Sequence, residues 1–264
     1  MPTIDLARLK VETAQLSEVF SEADDYVRGI QHLLQRYSVP VHRQGRVKGM
    51  RPVLMSYEVP PPLLKHIQLE MKQSAEAAPD QALKVADGLW ALRSLETRLL
   101  AARMLGAIQA WPDEITSRLE AWAQGNLELL LATELAQAAP LLLCRHYPEE
   151  ILAFAARMLA SGSVRRQSLA LGVLHTLITT SSYSNLPPLF ALLGTALALP
   201  DRKLRQELAH LLVALAERSP HETEYFLLHR LTEQPGEGIR WIARQLMKSL
   251  PDEPQARVRK ALNS

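Results

Sequence analysis

The sequence predicts an all-α protein, a HEAT-like α-α superhelix in which antiparallel helix pairs stack into a curved solenoid. Three observations predict it. Leu and Ala dominate a hydrophobic content of 47%, while aromatic residues make up only 5%, so the chain favours strong helix formers over the β-branched and aromatic residues of sheets. Pro, Gly or Ser punctuates most boundaries between apolar-periodic segments. In the C-terminal half, helices opening at Val164, Arg202 and Gly238 recur at a spacing of roughly 35 to 40 residues, which suits HEAT-like pairs. A chain of 264 residues is long for one compact core but ordinary for a quasi-one-dimensional stack, so residues 1–264 are expected to form one helical-repeat domain.

The first helix pair is expected at Ile4 to Phe20 and Asp24 to Tyr37, the second of these presenting Tyr26, Ile30, Leu33 and Leu34 at helical spacing. From Ser38 to Pro62 the pattern breaks, because Pro40, Gly45, Gly49, Pro52 and the Pro60-Pro61-Pro62 run exclude a continuous helix. Helices are then expected at Leu63 to Gln73, Pro79 to Ala91, Leu95 to Ala110, Pro112 to Trp122, Leu127 to Ala138 and Pro148 to Ala160. The series continues with Val164 to Ile178, Leu186 to Leu199, Arg202 to Arg218, His221 to Thr232, Gly238 to Leu250 and Pro254 to Leu262.

Between Arg166 and Asp201 no Asp, Glu, Lys or Arg occurs, yet the apolar blocks Leu169 to Ile178 and Leu186 to Leu199 are each shorter than a bilayer requires. Two buried helices are expected there, not a membrane span. The single Cys144 excludes an intrachain disulfide, and no signal peptide opens the sequence, so a reducing cytoplasm is the expected compartment. Cys144 reads as a packed small hydrophobe. Neither a His-Glu-x-x-His motif nor clustered cysteines occur, so no metal and no cofactor are expected.

The net charge of +2 is unevenly spread: residues 151–264 hold 14 Lys+Arg against 9 Asp+Glu, a balance of +5, and residues 1–150 a balance of −3. Each C-terminal repeat opens on cations, with Arg165 and Arg166, then Arg202, Lys203 and Arg205, then Arg240 and Arg244. Equivalent helices of a stack share a face, so these residues are expected side by side as a strip suited to phosphates. Solvation of each helix's outer side is the competing account. The irregular stretch Val41 to Arg51 carries Arg43, Arg46, Lys48 and Arg51 with no acidic residue, and reads either as an arm along a phosphate backbone or as a solvated connection.

Four motifs, in order over about residues 45 to 250, resemble the bacterial DNA alkylation repair glycosylases of the AlkD type. Tyr57-Glu58-Val59-Pro60-Pro61-Pro62-Leu63-Leu64-Lys65 resembles that family's Gly-Val-x-x-Pro-x-Leu-Arg segment. Leu89-Trp90-Ala91-Leu92-Arg93-Ser94-Leu95-Glu96-Thr97-Arg98 looks like its Leu-Trp-x-Ser-x-x-x-Glu-x-Arg signature. Val164-Arg165-Arg166 is similar to its Val-Arg-Arg helix start, and Arg240-Trp241-Ile242-Ala243 to its last-helix pattern. From the residues themselves, Trp90 and Trp241 fall on apolar faces and read as packing between repeats, and Glu96 with Arg98 as a helix-start pair.

The resemblance implies a protein that grips double-stranded DNA, alkylated DNA included, in a basic concave groove and hydrolyses the N-glycosidic bond of N-alkylpurines; a monomer is expected. In that reaction positive charge develops on the sugar, so a nearby carboxylate stabilises the transition state and aromatic walls hold the cationic nucleotide. The family uses one Asp, two Trp and an Arg of the Val-Arg-Arg helix. Here the aligned positions carry Glu134 in place of Asp, or Thr133 if the register shifts by one, with Leu130 and His210 in place of the two Trp; only Arg165-Arg166 carries over unchanged. The expected site therefore comprises Glu134 as the catalytic candidate, with Arg165, Arg166, Lys203, Arg205, His210, Arg240, Arg43 and Lys48 as DNA contacts. The competing function is a non-catalytic protein-interaction scaffold that keeps the stack of helices.

Overall fold

A computed structural model describes residues 6–38, 54–109, 111–125, 127–180, 183–198, 201–233 and 236–263. These residues form an all-α fold of helical repeats. The chain divides into two compact units, Met1–Leu142 and Leu143–Ser264.

The first unit contains α1 (Leu6–Glu18), α2 (Ala23–Arg36), α3 (Pro61–Ala77), α4 (Pro79–Ala91), α5 (Leu95–Leu105), α6 (Pro112–Trp122) and α7 (Leu129–Gln137). The short α8 (Leu141–His146) contains the division. In the first unit a helix packs on its sequence neighbour, as α4 does on α5, and on the next but one, as in α1 with α3, α2 with α4, α3 with α5 and α5 with α7. That alternation is the signature of stacked helix pairs, in which no pair can bury its apolar face alone. On α2, Tyr26, Val27, Ile30, Leu33 and Leu34 are buried, so the apolar stripe legible in the sequence is the face turned inward.

Prolines fix several starts. Pro61, Pro79, Pro112 and Pro148 each stand in the first turn of a helix, where the missing N–H would have no intrahelical partner anyway. This is why α3 begins at Pro61, inside the run expected to be irregular. Ahead of it, in residues 54–60, an isolated bridge joins Met55 to Ser94, with the Leu95 N–H donating to the Met55 carbonyl at 2.8 Å. Ser94 caps α5, its hydroxyl accepting the Thr97 N–H.

The second unit contains α9 (Pro148–Leu159), α10 (Val164–Thr180), α11 (Leu186–Ala196), α12 (Arg202–Arg218), α13 (Pro220–Glu233), α14 (Glu237–Leu246) and α15 (Asp252–Asn263), with a 3-10 turn at Met247–Ser249. The same alternation recurs: α9 packs on α10, α12 on α13, α10 on α12, α12 on α14 and α13 on α15. The expected repeat is visible in the contacts. The Ser168 hydroxyl meets Glu207 across 39 positions, and the Phe190 and Phe226 rings meet across 36.

Several expected boundaries shift: α5 ends at Leu105 and not at Ala110, with Gly106 as its C-cap, and α3 runs on past Gln73 to Ala77. The six-residue α8 was missed because it is shorter than two helical turns and gives no periodicity to read. The helix expected to run from Gly238 to Leu250 ends at Leu246, the following 3-10 turn tightening the chain ahead of Pro251. Among the described residues no helix is long and apolar enough to cross a membrane.

Candidate nucleic-acid interface

Within the second unit, α10, α12 and α14 lie side by side, α12 packing against both of the others. The cations that open each helix are thereby brought into one neighbourhood. Local sequence explains how each is positioned. The Asp201 carboxylate accepts the Lys203 and Leu204 N–H groups at 2.7 and 3.2 Å, which starts α12 directly beneath its basic first turn. The Gln167 amide donates to the Leu159 carbonyl at 2.9 Å, tying the start of α10 to the end of α9.

Arg165, Arg202, Lys203, His210 and Arg244 are exposed, while Arg166, Arg205 and Arg240 are half-buried. The methylene stem of Arg205 passes over α14 where Gly238 has no side chain, 3.8 Å from where a Cβ would stand. Arg240 turns one guanidinium donor onto the Leu262 carbonyl at 3.2 Å, in the last turn of α15, which commits part of its hydrogen-bonding capacity within the protein. His175 on α10 lies close enough to His210 on α12 for the two imidazoles to interact, and burial together with that neighbour holds the His175 imidazole below its ordinary range.

The strip is not uniformly basic, as its sequence suggested. Glu207 sits within it, accepting the Ser168 hydroxyl at 2.7 Å and pairing with Lys203 at 3.6 Å. Its Oε2 is buried with no hydrogen-bond partner. Sequence reasoning passed over Glu207 because it belongs to a helix counted by its cations. Its position one turn after Lys203 was the available signal, since residues four apart share a helix face.

Glu134 belongs to the first unit, on α7. Arg103 of α5 grips its carboxylate at two points, Nη2 to Oε1 at 2.7 Å and Nε to Oε2 at 3.1 Å. Both side chains are largely buried, at 21% and 17% exposure. A paired carboxylate has its charge compensated at close range, and the geometry makes Glu134 a tie between two helices. Leu130, aligned with a family tryptophan, is 51% exposed and its neighbour Leu129 80% exposed. Thr133 is exposed and turns its hydroxyl back onto the Leu129 carbonyl at 2.9 Å. Arg43 and Lys48 lie outside the described residues.

The signature around Trp90 is architectural. Trp90 stacks on Trp122 with ring centroids 4.3 Å apart and planes within 5°, and the Arg98 guanidinium lies 4.5 Å over the Trp90 ring. Both faces of that indole are therefore occupied, by an aromatic ring and by a cation. Glu96 is buried and accepts the Ser56 hydroxyl at 2.7 Å and the Glu58 N–H at 2.8 Å, both on one oxygen. Glu58 takes a left-handed backbone, φ 54°, to aim that N–H. The motif thus pins the segment before α3 to the start of α5. Among the described residues no group of three or more His, Cys, Asp or Glu side chains is placed to hold a metal ion.

No protein-family model matches this sequence, and no curated protein matches it significantly. Among solved structures the chain is similar to a crystal structure of an engineered protein, at 16% sequence identity and a TM-score of 0.35, the match covering 94% of this chain and 66% of that one.

Proposed function

We propose that this protein binds double-stranded DNA, alkylated DNA included, through phosphate contacts made by the cations at the starts of α10, α12 and α14. The observation that carries the reading is the adjacency of these three helices within a unit whose sequence is net basic: α10 and α12 carry Arg or Lys in the first turn, and α14 carries Arg240 one turn in, behind the exposed Glu237. Arg165, Lys203 and His210 supply exposed contacts, and Arg166, Arg205 and Arg240 stand half-buried behind them. Phosphate contacts fix register without reading sequence, so duplex geometry is recognised and base identity is not. The resemblance of the Val164-Arg165-Arg166 and Arg240-Trp241-Ile242-Ala243 segments to alkylation-repair glycosylases supports the same partner.

Binding is better supported than base removal. A glycosylase needs a carboxylate whose charge faces the sugar as positive charge develops there, and both oxygens of Glu134 are engaged by Arg103.

The test is fluorescence anisotropy with a short labelled duplex, with and without 7-methylguanine, over a range of salt. Log K should fall with log salt by about 0.9 per neutralised phosphate. The Arg165→Gln/Lys203→Gln double variant should reduce the slope by up to about 1.8. Affinity that is absent, or indifferent to salt, would defeat the proposal and favour the protein-interaction scaffold.

A further inference from the structure

The second unit holds a cleft of about 520 Å³ between α11 and α13, separate from the basic residues on α10, α12 and α14. The two helices run alongside each other in the same sense: the Phe190 and Phe226 rings meet at 5.1 Å, and one turn further on Gly194 makes room for the Arg230 guanidinium. An ordinary Cβ at position 194 would stand 2.0 Å from Nη2 of Arg230. Leu186 closes the floor at one end, and Tyr225, 71% exposed, stands along the rim. The volume lies within the range of small-molecule sites, and the lining is largely apolar with a few polar groups at its ends, as such sites require.

The polar groups are unequal. Glu222 stands at the end nearest Leu186 and is exposed, where water solvates its charge. At the other end Arg230 lies 5.7 Å over the Phe226 ring, and its Nε is buried with no hydrogen-bond partner. Its carboxylate neighbour, Glu233, is 4.0 Å from Nη1, too far for a hydrogen bond, and sits closer to His229, at 3.1 Å. A guanidinium presents five donors and cannot discharge by losing its proton. Arg230 is therefore a cation with unused donors at the end of an apolar trough.

We infer that this cleft binds a small apolar monocarboxylate, whose carboxylate meets Arg230 and whose hydrocarbon body lies over Phe190 and Phe226 toward Leu186. A carboxylate matches the guanidinium in charge and in two-point geometry. The α13 stripe from Glu222 to Arg230 spans ~12 Å at 1.5 Å per residue, comparable to an extended ten-carbon chain. The hydrocarbon needs no polar partner, and between the two ends Phe190, Ala191 and Phe226 line the trough, with the Tyr225 ring along its rim.

The experiment is isothermal titration of the full chain with decanoate and with decanol, both below their aggregation concentrations. Decanoate should bind saturably at one site, and decanol at least tenfold more weakly. Arg230→Gln should weaken decanoate at least tenfold and leave decanol unchanged. Ala191→Trp, at an exposed position on the cleft wall, should abolish both without disturbing the helix content seen by circular dichroism. Arg165→Gln, in the proposed DNA strip, should leave decanoate binding intact. No saturable decanoate binding by the folded protein would overturn the inference, as would equal affinity for the alcohol. So would decanoate binding indifferent to either cleft variant, or an acidic amphipathic peptide binding where decanoate does not.

Discussion

Arg103 and Glu134 are joined by two parallel hydrogen bonds across α5 and α7, 31 residues apart in the chain. Asp87 and Arg118 repeat the arrangement at the same separation, with bonds of 2.9 and 2.7 Å. One staple joins α4 to α6 and the other α5 to α7, and they differ in exposure. Asp87 is 47% exposed, whereas both members of the Arg103–Glu134 pair are largely buried. Removing one partner of a buried pair strands a charge, while exposed pairs contribute little. A double-mutant cycle with Arg103→Leu and Glu134→Leu, read by urea unfolding, should give a coupling energy of about 1–2 kcal/mol, between the exposed and fully buried cases. The cycle for Asp87 and Arg118 should give less than about 1 kcal/mol. Equal couplings would show that burial does not set the strength of these staples.

Gly106, the C-cap of α5, lies where the Ala138 backbone comes close. A Cβ there would stand 1.9 Å from the Ala138 carbonyl oxygen and 2.9 Å from its carbon. Backbone atoms cannot rotate aside, so Gly106→Ala must push α5 and the end of α7 apart. The expected loss is about 2 kcal/mol, within the range for overpacked cores. Gly125 meets nothing within 4 Å, and Gly125→Ala should change stability by less than about 1 kcal/mol, through the unfolded chain alone. Thermal unfolding of the two variants side by side checks the contrast. A Gly106→Ala protein as stable as the parent would mean the two segments are not in contact as described.

The sequence was most legible where one residue type has one physical use. Prolines marked helix starts, and the apolar stripe Tyr26, Ile30, Leu33, Leu34 marked a buried face. The 35-to-40-residue recurrence of basic helix starts became the side-by-side packing of α10, α12 and α14. Less legible were pairings between distant residues, because charge alone does not say which partner a side chain meets. Glu134 stands out in the sequence only by its alignment with the Asp of the resembled family, and its partner Arg103 lies in a different helix. Glu207 was hidden among cations in the same way. The cleft over Phe190 and Phe226 gave no signal, since its walls belong to two helices 36 positions apart in the chain and neither alone shows a concavity. The recurring 31-residue offset between oppositely charged residues was the unused clue, and it becomes visible only when charges are compared between repeats instead of within one.

Cys144 was read as packing material, and its surroundings make that quantitative. Its side chain is wholly buried, its thiol lies 3.9 Å from the Val173 carbonyl, and burial pushes the thiol up to about 12. Thiolate is the reactive form, so almost none is present at neutral pH. Ellman's reagent should leave the native protein unlabelled for hours and label it within seconds in strong denaturant. Under intermediate urea the labelling rate should follow the fraction of molecules unfolded. Rapid labelling in native buffer would show that the helices around Cys144 open locally.

In the second unit the buried Glu224 carboxylate is gripped by Arg257, and it sets a pH dependence. Glu224 is buried on α13, and the Arg257 guanidinium of α15 donates to both of its oxygens, one through Nη2 at 2.8 Å and the other through Nε. These hydrogen bonds, acting against the cost of burial and helped by the opposite charge, hold the Glu224 carboxyl below its usual range. A carboxyl depressed in the folded state stabilises that state when ionised. The stabilisation is complete above the ordinary glutamate range and is lost as pH falls through about 4.5 and then through the lower folded value. Arg257 keeps its charge throughout, so within this pair it is the carboxylate that titrates, with the His221 imidazole 4.0 Å away as a further charged neighbour. Comparing the parent with Glu224→Gln by urea unfolding at pH 7, 5.5, 4 and 3 isolates this contribution. The parent's advantage should be constant at the two higher values and shrink at the two lower ones. An advantage that persists unchanged to pH 3 would mean that the α13–α15 contact rests on packing, Leu227 on α13 and Val258 on α15 both being fully buried, and not on the ion pair.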